Sequence, residues 1–89
     1  MATIIFTQQL ARFLPVPHLV TQAATLRAAL DEVMAADPRL GAYVLDDLGR
    51  LRANVVAFVD GRRCRDRALL DDPLRPDSTI HILQALSGG

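Results

Sequence analysis

The chain has 89 residues, 51% hydrophobic and 22% charged, which is enough for one compact domain and too apolar for a disordered tail. Ten arginines balance ten acidic residues, and this zero net charge excludes the uniformly basic surface on which non-specific nucleic-acid binding depends. Cys64 is the only cysteine, which excludes an internal disulfide and a cysteine-based zinc site, and no run of about 18 apolar residues is present to span a membrane. We therefore expect a soluble, cytoplasmic protein with neither nucleic acid nor membrane as a partner.

The first 20 or so residues predict a pair of strands. Residues 2–7 alternate between two faces and contain β-branched and aromatic side chains, which predicts a first strand. Residues 10–14 are expected to return antiparallel to it, before Pro15 and Pro17 remove two backbone donors and end the pairing. His18 then falls in a loop.

Two helices are predicted next. Thr25 caps a stretch whose large apolar residues recur at helical spacing, so we expect a helix over residues 25–36. Asp37 and Pro38 repeat a helix-start signal, since proline is favoured at the first helical position. They predict a short second helix that ends near Gly49.

The second half of the chain predicts a hairpin. Residues 54–59 form a β-prone run, and Asp60-Gly61 follows at once. This pair suits a tight turn in which both central residues have positive φ. Residues 62–65 are therefore expected to return as the next strand.

The last part of the chain completes a predicted α+β fold. Residues 69–76 suit a turn-rich connection, and residues 79–86 form another β-prone run. Two hairpins around one main helix allow the first and last strands to pair in parallel at the sheet centre. We expect a β-grasp, or ubiquitin-like, domain over residues 1–86: a mixed sheet of four to five strands with the main helix packed on one face.

The end of the chain carries a more specific signal. The last five residues are Ala-Leu-Ser-Gly-Gly, so a diglycine follows a predicted strand in a small domain. In length, in element order and in these residues, the chain resembles the MoaD/ThiS family of small sulfur carriers. The resemblance implies that residues 87–89 are a flexible tail whose Gly89 carboxylate is adenylated by an E1-like enzyme with ATP and Mg²⁺ and then converted to a thiocarboxylate. Gly88, which has no side chain, gives the slender approach that a narrow channel requires.

The same resemblance implies that the chain is a carrier and not an enzyme, and that it has two further kinds of partner, a sulfur donor and a sulfur acceptor. A cysteine desulfurase or a rhodanese-type protein donates the sulfur, and a synthase large subunit or another enzyme accepts it. The length of residues 31–52 is closer to the small subunit of molybdopterin synthase, or to a related stand-alone carrier, than to the compact thiamine-type carriers. This length leaves the pathway open: molybdopterin biosynthesis is expected first, with thiamine and cysteine biosynthesis as alternatives.

One face of the predicted sheet is a candidate docking surface. If Val55, Ala57 and Val59 face the helix, then Val56 and Phe58 lie on the uncovered face, where apolar groups suit a partner. The opposite register, with Phe58 in the core, is also open. The full set of predicted partner-binding residues is Val56, Phe58, His81, Leu83, Leu86 and Ser87.

Other polar residues give weaker signals. Four arginines surround Cys64 at positions 62, 63, 65 and 67, and they suit either an acidic or phosphate-bearing partner or a charged edge strand that resists aggregation. Flanking arginines favour a lowered thiol pKa, but a lone strand cysteine is more typical of packing, which we expect. His18 and His81 have no ligand spacing, so we assign no metal site.

Two other functions remain open. One is a ubiquitin-like modifier that attaches Gly89 to lysines of target proteins. The chain has no lysine, so it cannot form chains on its own side chains. The other is a non-covalent β-grasp interaction module in which the tail is inert.

Overall fold

The computed structural model describes residues 1–7 and 18–84, whose helices and strands follow the predicted order. These elements are β1 (Ala2–Phe6), β2 (His18–Thr21), α1 (Leu26–Ala36), α2 (Pro38–Val44), β3 (Val55–Val59), β4 (Arg62–Arg63) and β5 (Thr79–Gln84). Within these two ranges, no helix is both long enough and apolar enough to cross a bilayer.

The described strands form one mixed sheet in the order β2-β1-β5-β3-β4. The first and last strands, β1 and β5, run parallel in its centre, with Ile4 beside Ile80 and Phe6 beside Ile82. All other neighbouring strands are antiparallel. The parallel central pair and the helices between β2 and β3 confirm the predicted β-grasp fold.

The strand that pairs with β1 comes later in the chain than expected. Its partner is His18–Thr21, which runs antiparallel from Ala2↔Thr21 to Ile5↔His18. His18 therefore begins a strand, and its predicted loop position is wrong; residues 10–14 lie outside the described residues. The prolines at 15 and 17 lack backbone donors, but the β-prone residues after them are free to pair.

Both predicted helix starts are confirmed. The Thr25 hydroxyl accepts a hydrogen bond from the Ala28 N–H at 3.1 Å, and the Asp37 carboxylate accepts one from the Leu40 N–H at 3.2 Å. Pro38 occupies the first turn of α2, where no backbone donor is needed. These caps explain why one helix can end and another begin at the same residue, Asp37.

The second helix is shorter than predicted, because it ends at Val44 and not near Gly49. One carboxylate oxygen of Asp46 accepts hydrogen bonds from the backbone N–H groups of Leu48 (2.9 Å) and Arg50 (3.0 Å). Such local bonds compete with helical ones. Gly49 completes the turn at a φ of 78°, which favours glycine.

The core settles the register of β3. Val55, Ala57 and Val59 are buried on the helix side, whereas Val56 and Phe58 are only partly buried. The largest fully buried hydrophobic side chains come from β1, β3 and β5, from both helices and from one connection: Ile4, Leu26, Leu30, Leu40, Leu70, Ile80, Ile82, Val44 and Val55. One face of the sheet is therefore packed against α1 and α2.

Gly41 sets the contact between the two helices. A Cβ at this position would lie 2.6 Å from the Met34 sulfur and 2.8 Å from the Met34 Cα, which is closer than real contacts allow. Alanine favours helix over glycine by about 1 kcal/mol, but overpacking costs roughly 1–3 kcal/mol.

We expect Gly41→Ala to lower the free energy of unfolding, measured by urea denaturation. An increase in that free energy would mean that α1 and α2 can move apart to accommodate the methyl group at no cost in stability.

Candidate functional site

The middle strand of the sheet, β5, ends at Gln84, which is also the last described residue. The Gln84 N–H donates to the Thr7 hydroxyl at 3.4 Å, and Gln84 lies opposite Val55 of β3. Hydrogen bonds to neighbouring strands on both sides hold β5 in place, and so fix the point from which the rest of the chain continues.

Four predicted site residues come after this point. Leu86, Ser87, Gly88 and Gly89 lie outside the described residues, and their roles stay predictions. A groove of about 390 Å³ adjoins the last described residue, Gln84, and its other lining residues are Ala42, Tyr43, Arg52 and Asn54. The surface at this end of the sheet is thus built by α2 and the chain before β3.

The sheet face opposite the helices carries a connected apolar patch. Phe58 of β3 lies beside His81 of β5, Val56 lies beside Leu83, and Ile5 of β1 lies on the other side of His81. Leu83 is 37% exposed, His81 is exposed, and the other three are partly buried. We call Ile5, Val56, Phe58, His81 and Leu83 the open-face patch. The structure brings together all four described members of the predicted partner-binding set, whose binding role stays a prediction.

Sequence reasoning missed one member of the open-face patch, Ile5, and one neighbour of it, Val20. Ile5 belongs to it because alternate residues of β1 face away from the core, a signal already present in the alternation of residues 2–7. Val20, 55% exposed, pairs with Thr3 on the same face. The misplaced second strand hid Val20.

The four arginines around Cys64 do not form one cluster. Arg62 and Arg63 make up the edge strand β4, and Arg65 follows it. Arg67 instead donates to the backbone carbonyl of Arg52 and so joins two loops. Arg67 therefore supports the fold, and the other three remain available at the surface.

Cys64 is a packing residue. Its side chain is 6% exposed, and burial raises the pKa of its thiol above the usual value, with the nearby Asp72 charge acting in the same direction. The alternative of a thiol activated by arginines is therefore wrong. Within residues 1–7 and 18–84, no group of three or more histidine, cysteine or acidic residues is placed to hold a metal ion.

Asp60 ties the β3–β4 turn to the start of β5. Its two carboxylate oxygens accept hydrogen bonds from the Thr79 N–H at 2.9 Å and from the Ser78 hydroxyl at 2.8 Å. The bond from the Thr79 backbone, together with Ser78 and the Arg75 charge, holds the pKa of Asp60 below its ordinary value. Asp60 and Gly61 both have positive φ, 51° and 82°, as the predicted turn requires.

This lowered pKa gives a pH prediction. The stability that ionised Asp60 contributes is present above the carboxyl's unfolded pKa of about 3.9 and is lost as pH falls through the lower folded pKa. Asp60→Asn keeps a residue that tolerates positive φ but has no charge to lose. Between pH 7 and pH 3, urea denaturation should show a larger loss of unfolding free energy for the wild type than for the variant. Equal losses would mean that Asp60 is not a source of acid sensitivity.

Comparison with known proteins identifies related chains. The sequence model of the ThiS family matches residues 4–89. No curated protein matches the chain.

Solved structures share the fold along almost the entire chain. SAMP1 of Haloferax volcanii is 23% identical with a TM-score of 0.78, covering 99% of this chain and 98% of that one. A chain of the Amycolatopsis orientalis BexX/CysO complex is 19% identical with a TM-score of 0.84, covering 100% of both. Mycobacterium tuberculosis CysO is 18% identical with a TM-score of 0.82, covering 97% of this chain and all of that one (100%). At these identities the likeness establishes the fold.

Proposed function

Because this chain belongs to the ThiS family, we propose that it is a sulfur carrier whose Gly89 carboxylate accepts sulfur and passes it to an acceptor in cofactor biosynthesis. The observation that carries the proposal is the family match, which continues through residue 89 and so includes the diglycine. Members of this family are small carriers and not enzymes. Catalysis therefore belongs to the partner proteins.

The proposed chemistry uses the chain's own carboxylate as substrate. A carboxylate is a poor electrophile, so an oxygen of Gly89 first attacks the α-phosphate of ATP, which releases pyrophosphate and leaves an acyl adenylate. Sulfide then attacks the carbonyl carbon, the bond from that carbon to the phosphate oxygen breaks, and AMP leaves. The product is a thiocarboxylate at Gly89. ATP and Mg²⁺ are bound by the E1-like activating enzyme.

The fold supports this role through the position of β5. Strand β5 is the middle strand of the sheet and pairs with β1 and β3. Sulfur carried at Gly89 is therefore attached to a chain end that leaves a strand hydrogen-bonded on both sides. We assign the open-face patch to docking of the activating enzyme or the acceptor, since a partly exposed apolar surface on a small domain is typical of a protein contact. Among acceptors, the synthase of molybdopterin is proposed first, with thiamine and cysteine biosynthesis as alternatives.

Reconstitution tests the proposal. The chain is incubated with an E1-like enzyme, ATP, Mg²⁺ and sulfide, and its intact mass is measured. We expect the gain of one oxygen-to-sulfur exchange at the C-terminus, and no gain when ATP is omitted. An unchanged mass with an enzyme that converts another ThiS-family chain under the same conditions would overturn it.

A second candidate function is a ubiquitin-like protein modifier. It is favoured by the structural likeness to SAMP1 of Methanosarcina acetivorans, a small archaeal modifier protein that is 19% identical with a TM-score of 0.82, covering 99% of this chain and 95% of that one. In this case Gly89 forms an amide bond to target lysines. Gly-Gly remnants on lysines of cellular proteins after digestion, with no thiocarboxylate on the free chain, would favour the modifier over the carrier.

A further inference from the structure

A groove of about 520 Å³ lies between the β3–β4 turn and the connection that leads into β5. Its volume is in the range of ordinary ligand sites. Cations outnumber carboxylates among the charged residues that line it, which are Arg62, Arg63, Arg65, Arg75, Asp60 and Asp72. An anionic ligand would compete for these arginines with Asp71 and Asp77, exposed carboxylates that pair with Arg65 and Arg75 from outside the lining.

The two carboxylates that line the groove, Asp60 and Asp72, accept hydrogen bonds within the domain. Asp60 holds Ser78 and Thr79, as described above. Asp72 is 8% exposed, and both of its carboxylate oxygens accept a hydrogen bond from the backbone N–H of Arg65 at 3.3 Å. Because these bonds fix the two walls, the groove is a stable feature of the folded domain.

The arginines, in contrast, are weakly held. The Arg65 guanidinium lies 3.6 Å from Asp71 and 3.9 Å from Asp72. The Arg75 guanidinium lies 3.6 Å from Asp60 and 3.8 Å from Asp77. Arg65 and Arg75 are 67% and 73% exposed, and exposed pairs of this kind contribute little to stability. Within the part of the chain that the structure describes, Arg62 has no carboxylate within 4.0 Å.

The groove adjoins the open-face patch. Arg63 lies opposite Phe58 in the sheet, and its guanidinium carbon is 6.0 Å from the centre of the Phe58 ring. A protein that covers the patch therefore reaches the groove by continuing past Arg63. Asp60 and Arg75 both hydrogen-bond to Ser78, the residue before β5. Gln84 is at the far end of β5, about 17 Å from Thr79, its first residue, at 3.3 Å per residue. The groove is thus separate from the end of the chain that leads to Gly89.

We propose that the arginine groove binds an acidic, extended segment of a protein that docks on the open-face patch. Guanidinium groups pair with carboxylates through two parallel hydrogen bonds, and Arg65 and Arg75 already face carboxylates of their own chain. An extended segment presents several carboxylates in succession to cations that come from both walls. The contact gives specificity and faster association more than raw affinity. The inference does not depend on the chemistry of Gly89.

NMR titration tests this site with hexaglutamate as the probe. Backbone amide signals of the ¹⁵N-labelled full chain are followed in low salt for the wild type, for the double variant Arg62→Gln/Arg75→Gln and for the control Arg39→Gln. Arg39 is exposed on α2 and does not line the groove. Inorganic pyrophosphate is titrated in parallel, and melting temperatures check that each variant is folded.

We expect the shifted signals to cluster at residues 59–65 and 72–75, with hexaglutamate binding more tightly than pyrophosphate. The double variant should bind hexaglutamate about tenfold more weakly than Arg39→Gln, and 200 mM salt should weaken wild-type binding. Shifts spread over the surface, or equal affinities of the double variant and the control, would overturn the proposal. Tighter binding of pyrophosphate would overturn it too, because it would assign the groove to a phosphate group.

Discussion

Deletion of Gly89 is expected to abolish thiocarboxylate formation in the reconstituted reaction. The shortened chain still ends in a carboxylate, but in the proposed reaction this group would stop one residue short of the position of the Gly89 carboxylate beside ATP. A misplacement of the reacting atom by one residue, about 3.3 Å, removes the alignment that accounts for a large part of catalysis. We expect the initial rate, followed by intact mass, to fall more than a hundredfold, which corresponds to about 2.7 kcal/mol in the transition state.

Two further variants separate length from bulk. Gly88→Trp keeps the length and the terminal glycine but adds the largest side chain, so we expect it to block entry and to give the same loss. Gly88→Ala adds only a methyl group and should retain more of the rate than Gly88→Trp. Full modification of the chain without Gly89, or of a chain extended beyond Gly89, would refute the assigned role of this carboxylate.

Phe58→Asp is expected to weaken binding of the activating enzyme about thirtyfold, or roughly 2 kcal/mol, the size of a hot-spot contact. Phe58 is the aromatic residue of the open-face patch and lies between His81 and the Arg63 side chain. The substitution removes an aromatic anchor and places a charge where a partner would exclude water. Titration calorimetry with the activating enzyme measures the change.

The control for this substitution is Ala35→Asp. Ala35 is exposed on α1, on the opposite side of the sheet from the patch, so the same charge is added without touching it. Both variants should keep a cooperative melting transition, because neither residue belongs to the buried core. Equal affinities of the two folded variants would show that the enzyme docks elsewhere.

Local signals in the sequence predicted most of the fold because each has a short-range physical cause. The caps at Thr25 and Asp37 and the turn at Asp60-Gly61 depend on neighbours within three residues, and all three form as expected. The end of α2 was predicted wrongly because the Asp46 side chain captures backbone donors two and four residues ahead. Composition does not show that a side chain will compete with helical hydrogen bonds for these backbone N–H groups.

The candidate site was less predictable because it depends on which strands become neighbours. The alternation of β3 offered two registers, and only burial of Val55 and Ala57 against the helices decides between them. Ile5 and Phe58 lie on either side of His81 because β5 inserts between β1 and β3, a pairing of residues far apart in the chain. The separation of Arg67 from the other arginines also follows from a distant contact, with Arg52.

The most direct measurement is the intact mass of the chain isolated from its own cells under conditions that preserve thioacids. The carrier account predicts a population that ends at Gly89 and carries sulfur in place of one carboxylate oxygen, and that reverts to the plain carboxylate when the acceptor pathway consumes it. A mature chain that continues beyond Gly89, or one that ends there and never carries sulfur even when the acceptor is removed, would contradict it.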